Sequence, residues 1–222
     1  SLTKKADVYL LKIIKMKNCY KLKVKVKSKI YYFTTLHSTN NFIANFLACI
    51  TTLHILNLNL DSVKNKFLDF KIPSGRGDIQ TLKKFNKKFK FIDESYNANP
   101  LSMESAIKNM KYHKRKKGGK KLALLGDMLE LGKKSKKLHI ELSKLVNKSD
   151  IDKVFVYGKY IKDTYKNLNS KKKGKIFSNL HEAHLHFNKI LHNNDILMVK
   201  GSNATGLSQF SKNIKRSKIS VI

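Results

Sequence analysis

The stretch FIDESYNANPLSMESAI (91–107) runs from a β-prone segment through a polar loop into a helix. Its apolar start ends in two acids, Asp93 and Glu94, and its polar middle meets Pro100 just before the helix pattern begins. Loops of this composition at the end of a strand are where α/β proteins hold small molecules. The stretch therefore predicts both a strand-to-helix unit and a candidate binding site.

Strand and helix patterns alternate on both sides of this stretch. Short β-prone runs predict strands at 78–82, 88–93, 121–126, 153–158, 175–177 and 195–200. Helices are predicted between most of them, at 102–112, 133–147, 160–167, 180–191 and 206–215. This order is typical of an α/β fold with a doubly wound, mainly parallel sheet.

The ends of four predicted strands are unusual for their polar residues and glycines. They are DESYNANP (93–100), GDMLELG (126–132), YGK (157–159) and VKGSNATG (199–206). In a parallel sheet the residues just past the carboxyl ends of the strands meet at one edge, where ligands bind. These four segments are therefore expected to form one site.

The first part of the chain has a different pattern. Between residues 8 and 35 apolar and polar side chains alternate, as in YKLKVKVKS (20–28), which predicts half-buried antiparallel strands. NNFIANFLACITTLHILNLNL (40–60) then presents a broad apolar helical face. Three residues are candidates for the cap of this helix: Ser38, Thr39 and Asn40.

A domain boundary is predicted after a second, shorter helix that runs from Asp61 to about Phe70. The segment KIPSGRGD (71–78) interrupts both periodicities with its proline and two glycines. The predicted domains are therefore 1–72 and 73–222.

The formal net charge is +32, from 47 basic and 15 acidic residues. Such an excess is typical of nucleic-acid binding, because basic surfaces release counterions at phosphates. Here the lysines are spread through every segment, and the arginines are Arg76, Arg115 and Arg216. With no compact basic face and no RNA-binding aromatic signature, the charge is interpreted as the drift of an AT-rich genome, with no nucleic-acid partner. Polyanion binding stays open as the alternative.

Cysteine content and hydropathy bear on the compartment. Two cysteines, Cys19 and Cys49, do not make a disulfide framework or a metal cluster, and Cys49 is expected to be a buried, reduced thiol. The sequence has no apolar run of membrane-spanning length and no signal-peptide pattern at its N-terminus. We therefore expect a cytoplasmic protein with no membrane partner. A monomer is the default expectation, since the sequence carries no signal of oligomeric state.

Four motifs together resemble those of the Mur ligase family: PSGRGD (73–78), IDESYNANPLSMESAI (92–107), LALLGDMLELG (122–132) followed by His139, and ILMVKGS (196–202). The resemblance covers essentially the whole chain. It implies a Rossmann-like, mainly parallel C-terminal domain, preceded by the partial end of a P-loop-type ATPase domain with its strands and helices. The sequence contains no G-x-x-x-x-G-K-[ST] loop, so we expect a C-terminal fragment that is inactive alone.

The resemblance implies an ATP-dependent ligase that forms a C–N bond, with ATP and Mg²⁺ as cofactors. The implied substrates are UDP-N-acetylmuramoyl-tripeptide and D-alanyl-D-alanine: the tripeptide carboxylate attacks the γ-phosphate, and the dipeptide amine then attacks the acyl phosphate. Charge accumulates on the transferring phosphoryl group, so the metal and cationic donors matter most. Since the phosphate loop and the upstream metal ligands are absent from the sequence, no catalytic residue and no metal ligand are assigned in it.

For ATP, the resemblance points to Asn45 near the adenine, Arg76 at the phosphates, and Asp93 or Glu94 at the ribose. Arg76 stands out, because a lysine-rich sequence has kept a planar, bidentate phosphate donor at this point. The choice between the two acids stays open, and an acid that stabilises a helix start is the competing interpretation. Asn45 is alternatively a plain amide on a helix face.

The resemblance assigns eight residues to substrate binding: Tyr96, Asn97, Asn99, Asp127, Glu130, Lys200, Gly201 and Ser202. Asp127 and Glu130 are expected to receive the ammonium group of D-alanyl-D-alanine. Lys200 is expected to bind a carboxylate, with Gly201 allowing backbone amides to approach it. The competing interpretation of the two acids is again a helix start.

Structural roles compete for several neighbouring residues. Asn99 before Pro100 is alternatively turn chemistry. Ser102, with Ser105, is interpreted as a helix cap. His139 matches a family position, but a packed or solvent-exposed histidine is the more common case.

The sequence departs from the family pattern at two places. Thr39, Asn40 and Asn41 stand where the family has a Gly-Arg-His-like segment, and Asn203 stands where many relatives have arginine. These departures alter nucleotide affinity and peptide-carboxylate recognition, unless other residues compensate. Two alternative functions stay open: another amino-acid-adding Mur-type ligase, against which the SYNANP segment counts, and a basic nucleic-acid-binding module on a ligase-like fold.

Overall fold

The chain divides into two units, Ser1–Lys71 and Ile72–Ile222. The structure is a computed structural model, and it describes residues 1–2, 6–71 and 73–216. Each unit has its own hydrophobic core.

The first unit contains an antiparallel sheet and one long helix. The strands are β1 (Val8–Lys15), β2 (Tyr20–Val26) and β3 (Lys29–Thr35), in the order β1–β2–β3. The predicted alternation is confirmed, since Leu22, Val24 and Val26 are buried while lysines lie between them. The helix α1 (Asn40–Ile55) buries one face in the same core, and the Thr39 side chain caps its start by accepting the Phe42 N–H.

Three predictions for the first unit are wrong. The helix expected at 61–70 is two 3₁₀ turns, Leu60–Val63 and Lys66–Leu68, because the Asn59 side chain accepts the Asp61 N–H and favours a local turn. The helix pattern expected to run to residue 60 ends at Ile55, followed by Asn57 with a left-handed φ of 55°. Cys49 is exposed, because it lies beside the buried stripe of α1.

The second unit is built on a six-stranded sheet, and its mainly parallel character is confirmed. The strands are β4 (Asp78–Lys84), β5 (Lys87–Glu94), β6 (Lys121–Gly126), β7 (Lys153–Tyr157), β8 (Lys173–Phe177) and β9 (Ile196–Lys200). Their order in the sheet is β4–β5–β9–β6–β7–β8. The hairpin β4–β5 is antiparallel, and the other pairs are parallel.

In the part of this unit that the structure describes, five α-helices cover the two faces of the sheet. They are α2 (Pro100–Asn109), α3 (Ser135–Lys148), α4 (Ile161–Lys166), α5 (Leu180–Ile190) and α6 (Leu207–Lys215). Residues of α2, α3 and α4 share one buried core with Ala123 and Leu125 of β6, and residues of α5 and α6 share another with Leu122 and Leu124. Each fully buried leucine contributes about 1.5–3 kcal/mol. Because successive side chains of a strand point to opposite faces of the sheet, a single strand such as β6 contributes side chains to both cores.

The position of β9 determines which loops meet. This strand comes last among the described strands and lies between β5 and β6, so that Lys200 is in register with Glu94 on one side and Leu125 on the other. The segments that follow β5, β9 and β6 therefore leave the sheet side by side at its carboxyl edge.

Candidate functional site

A glycine-containing loop at 74–78 lies against the segment that follows β5. Tyr96 N donates to Gly75 O at 3.0 Å, Gly77 N donates to Asp93 O at 2.8 Å, and Gly75 N donates to the Asp78 carboxylate at 2.7 Å. Gly75 has a φ of +81°, and a Cβ there would lie 2.9 Å from Tyr96 N. Only glycine fits such a close approach in a left-handed conformation.

This loop brings Arg76 onto Tyr96. The guanidinium carbon lies 4.1 Å from the centre of the tyrosine ring, a cation–π contact. Arg76 is exposed, Tyr96 is 45% exposed, and no carboxylate among the described residues pairs with Arg76. The contact leaves a planar, charged donor group on the surface at the carboxyl edge, as an anionic ligand requires.

Asp93 is buried, and its carboxylate is fully engaged. One oxygen accepts the Ser95 N–H at 3.1 Å and the Ser95 hydroxyl at 2.5 Å, and the other lies 2.5 Å from Lys215 Nζ. Lys215 also lies 3.0 Å from the carboxylate of Asp78. Burial lowers the pKa of Lys215, but its hydrogen bonds and ion pairs with the two acids outweigh this and raise the pKa above its usual value.

Glu94 lies on the other face of the sheet and pairs with Lys200. The Lys200 ammonium lies 3.5 Å from Glu94 Oε2 and donates to the Asn97 carbonyl at 3.0 Å. The Lys200 side chain is 2% exposed and that of Glu94 is 23% exposed. Burial raises the pKa of Glu94 and lowers that of Lys200, and each partner only partly offsets the effect on the other. Of the two acids that end β5, Glu94 is the one that reaches solvent.

The SYNANP segment builds the start of α2. The Asn99 side chain accepts the Ser102 N–H at 2.8 Å, and the Ser102 hydroxyl accepts the Asn99 N–H at 3.0 Å. This is a reciprocal capping box, so the capping interpretation of Ser102 is confirmed. The Asn97 side chain accepts the neighbouring Ala98 N–H at 2.8 Å.

Asp127 joins the end of β6 to the start of α4. Its two carboxylate oxygens accept the N–H groups of Lys159 at 2.9 Å and Ile161 at 2.7 Å, and the residue is 5% exposed. A Cβ at Gly158, whose φ is +142°, would collide with this carboxylate. Both oxygens therefore serve the fold, while Glu130, in a left-handed conformation with a φ of 62°, is exposed.

Ser202 connects the segments that follow three strands. Its N–H donates to Asp127 O at 2.9 Å, its hydroxyl accepts the Leu129 N–H at 3.0 Å, and the same hydroxyl donates to Ala98 O at 3.2 Å. The preceding Gly201 has no room for a side chain, because a Cβ there would lie 2.7 Å from Leu207 Cδ1. The residues after β5, β6 and β9 therefore form one hydrogen-bonded structure.

His139 stabilises the same hydrogen-bonded structure through a bond to the backbone that follows β6. It is fully buried on α3, where Nε2 accepts the Met128 N–H at 3.1 Å and Nδ1 lies 2.8 Å from Ser135 O. Since a backbone N–H occupies Nε2, the proton is on Nδ1. The interpretation of His139 as a packed residue is confirmed.

A cleft of about 560 Å³ opens beside Asp127, at the carboxyl ends of β6, β7 and β8. Six of the residues that line it are Asp127, Leu129, Lys159, Lys162, Ser178 and Thr205. Among these, the sequence singled out Asp127 as a binding residue, and Leu129, Lys159 and Thr205 belong to three of the four polar strand-end segments. The segment YGK pointed to Lys159, but nothing in the sequence indicates that the first turn of α4 carries Lys162 to the same cleft.

The structure brings most of the predicted residues to one edge. Arg76, Asp93, Glu94, Tyr96, Asn97, Asn99, Asp127, Glu130, Lys200, Gly201 and Ser202 belong to segments at the carboxyl edge of the second sheet. Asn45 is an exposed residue of α1 in the first unit. The described residues contain no group of three or more His, Cys, Asp or Glu side chains suited to hold a metal ion. None of their helices has the length and apolar character needed to cross a membrane.

The parallel sheet with its last strand inserted, and the polar segments at its carboxyl edge, define a Rossmann-like α/β ligand-binding unit. Within that class, the family described as "Mur ligase, glutamate ligase domain" matches residues 79–203, more than half of the chain. The chain belongs to the Mur ligase family.

Individual relatives agree with this assignment. The chain is 28% identical over 169 residues to the UDP-N-acetylmuramoyl-tripeptide–D-alanyl-D-alanine ligase of Rickettsia prowazekii, covering 76% of the chain and 36% of that protein. It is 33% identical over 181 residues to the ligase of the same name from Buchnera aphidicola subsp. Acyrthosiphon pisum, covering 79% of the chain and 37% of that protein. The chain thus spans little more than a third of these relatives.

A solved structure shares the fold. The crystal structure described as the MurF ligase of Thermotoga maritima in complex with ADP superimposes with a TM-score of 0.71. The sequence identity is 20%, and the alignment covers 93% of this chain and 45% of that one.

Proposed function

We propose that this chain is the C-terminal part of an ATP-dependent ligase that joins D-alanyl-D-alanine to UDP-N-acetylmuramoyl-tripeptide in peptidoglycan synthesis. The names of the Rickettsia and Buchnera relatives support this reaction. In this proposal residues 1–72 are the end of the central ATP-binding domain and residues 73–222 are the C-terminal domain. The protein acts as a monomer in the cytoplasm, where nucleotide-linked precursors are made.

The observation that carries the proposal is the contact between Arg76 and Tyr96 beside Glu94. It places a guanidinium group that no described carboxylate pairs with in the same loop as Gly77, which approaches Glu94, the acid of β5 that reaches solvent. Guanidinium groups bind phosphate oxygens in a bidentate manner, and a carboxylate accepts hydrogen bonds from ribose hydroxyls. In the proposal Arg76 contacts the nucleotide phosphates and Glu94 the ribose, since Asp93 is occupied by Ser95 and Lys215. Asn45 remains a proposed contact of the adenine.

ATP fits the donor set at this edge, but the residues for Mg²⁺ are not assigned to this chain, because its described residues contain no metal-binding group. Bound ATP supplies the phosphoryl group that activates the tripeptide carboxylate, with Mg²⁺ balancing its charge. The residues of this chain orient the nucleotide and the amine, and they exclude water from the reacting groups.

The cleft beside Asp127 is the proposed site of D-alanyl-D-alanine. Lys159 and Lys162 line it and provide positive charge for the dipeptide carboxylate. Lys200, which the sequence suggested for this role, is buried against Glu94 and Asn97 and instead holds their segment in place. Asp127 shapes the cleft, and the exposed Glu130 is the acid available to the dipeptide ammonium group.

The test is to express the complete open reading frame that encodes this chain, with all of its in-frame upstream sequence. Phosphate release is then measured with ATP, Mg²⁺, UDP-N-acetylmuramoyl-tripeptide and D-alanyl-D-alanine. We expect release only when all four are present, and none from residues 1–222 alone. A complete product that binds these substrates without releasing phosphate contradicts the proposal.

A further inference from the structure

Two carboxylates face each other across the hairpin that leads into the candidate nucleotide site. Asp78 of β4 and Asp93 of β5 are direct partners in the antiparallel register. The Asp93 side chain is 2% exposed and that of Asp78 is 15% exposed. Like charges directly opposite each other in a sheet are destabilising, and more so when little water screens them. This hairpin therefore needs a cation at this point.

Lys215, the last residue of α6, supplies that cation. Its ammonium group lies 2.5 Å from Asp93 Oδ2, 3.0 Å from Asp78 Oδ2 and 2.7 Å from the Ser74 hydroxyl oxygen. An ammonium group has three donors, and each has one acceptor here. The side chain is 14% exposed, so these contacts form with little competition from water.

The three acceptors connect Lys215 to the loop that carries Arg76. Ser74 and Asp78 are the two ends of this loop, and Asp78 also accepts the Gly75 N–H at 2.7 Å. The loop then bonds to the segment after β5 through Gly75 and Gly77. The position of the guanidinium group above Tyr96 thus depends on a charge that α6 provides from more than a hundred residues away.

We propose that Lys215 is a positioning residue for the nucleotide: it neutralises Asp78 and Asp93 and so holds the loop at 74–78 in the conformation that presents Arg76. This role rests on the proposed function, in which Arg76 contacts the phosphates. Lys215 itself does not touch the ligand.

Four variants test the proposal. Lys215→Met keeps the length of the side chain and removes its charge, and Lys212→Met is the matched control, since Lys212 is an exposed residue of the same helix. Lys215→Met combined with Asp78→Asn is a rescue variant. It removes one of the opposed charges, keeps an acceptor for the Gly75 N–H, and adds an amide donor on the strand position opposite Asp93. Asp78→Asn alone provides its reference.

The first measurement is amide hydrogen exchange by NMR on residues 1–222. In Lys215→Met the amides of Gly77 and Tyr96 are expected to exchange at least about tenfold faster than in the parent chain. The reason is that the hydrogen bonds of a charged group no longer hold the loop. Lys212→Met is expected to match the parent chain, and the rescue variant to return most of the protection. Unchanged exchange in Lys215→Met overturns the proposal. If Lys215→Met fails to fold because Asp78 and Asp93 repel each other, the rescue variant, which lacks this repulsion, is expected to fold. A rescue variant that also fails to fold overturns the proposal.

The second measurement uses the product of the complete reading frame. We expect Lys215→Met to raise the KM for ATP about tenfold or more, with little change in the KM for D-alanyl-D-alanine, since the latter lies at a separate cleft. Faster exchange with an unchanged KM for ATP in an active enzyme overturns the positioning role and leaves the proposed function intact. A parent enzyme with no ATP-dependent ligation overturns both.

Discussion

Lys200 and Glu94 form an ion pair across two neighbouring parallel strands, with 3.5 Å between the ammonium nitrogen and the carboxylate oxygen. Both residues come directly from the sheet, so their backbones are fixed by the β5–β9 register. Burial raises the pKa of Glu94 and lowers the pKa of Lys200, so it favours the neutral form of each side chain. The pair therefore links the protonation state of the site to the stability of the sheet.

The raised pKa of Glu94 predicts a pH dependence of stability. The folded protein holds this proton more tightly than the unfolded chain, so the contribution is complete below the ordinary value of 4.5 and is lost as the pH rises through the folded-state pKa. We expect Glu94→Gln to remove this loss. Urea unfolding from about pH 4 to about pH 8 gives the free energy of unfolding for each variant.

Glu141→Gln, a change at an exposed acid of α3, is the control for this measurement and is expected to follow the parent curve. Parallel curves for Glu94→Gln and the parent chain would show that Glu94 does not carry the effect.

Arg76 predicts a specific kinetic phenotype. In the product of the complete reading frame, Arg76→Ala is expected to lower kcat/KM for ATP at least about tenfold, because a bidentate phosphate contact is lost. Arg76→Lys is expected to be intermediate, since it keeps the charge without the planar stack on Tyr96. Lys136→Ala, at an exposed position of α3, is expected to leave the rate unchanged. Equal rates for Arg76→Ala and Lys136→Ala would remove Arg76 from the site.

Replacing Gly75 by alanine is predicted to destabilise the protein, and the same change at Gly118 is the control. Gly75 and Gly118 have nearly equal φ angles, +81° and +78°, but a Cβ meets Tyr96 N at 2.9 Å in the first case and nothing within 4 Å in the second. Gly118→Ala is expected to cost about 1–2 kcal/mol from backbone strain alone. Gly75→Ala is expected to cost at least about 1 kcal/mol more, measured by urea unfolding. Equal costs would mean that the loop moves away from Tyr96 without a penalty.

Replacing Ser202 measures how much the connection between three strand ends contributes to the free energy of unfolding. Ser202→Ala leaves the Leu129 N–H and the Ala98 carbonyl without their partner, which is expected to cost about 1–3 kcal/mol. Ser170→Ala, at an exposed position, is the control and is expected to change the free energy of unfolding by less than about 0.5 kcal/mol. A Ser202→Ala protein as stable as the control would mean that water replaces both bonds.

The sequence predicted the strand and helix elements of the second unit because their apolar residues recur with clear periods. It did not predict that β9 lies between β5 and β6, since the pairing of parallel strands depends on contacts between residues far apart in the chain. For the same reason it left Asp93 and Glu94 equivalent. Adjacent residues of a strand point to opposite faces, and only the packed helices show that Asp93 meets α6.

The lysine excess also hid information. Lys215 looks like any other lysine in a chain of charge +32, and Lys200 was assigned to a ligand, yet both are largely buried and hold the segments of the site together. Arg76 was assigned by its match to the family pattern, and the rarity of arginine in this sequence supported that assignment. In the first unit, Cys49 was misplaced because the apolar face of α1 is wider in sequence than the stripe that the core covers.

The late place of β9 in the chain has a consequence for biosynthesis. Until residues 196–200 have left the ribosome, β5 and β6 lack the strand that separates them, and each exposes an unpaired edge in the nascent protein. The sheet therefore closes only after β9 has emerged, and until then the two unpaired edges are open to edge-to-edge association.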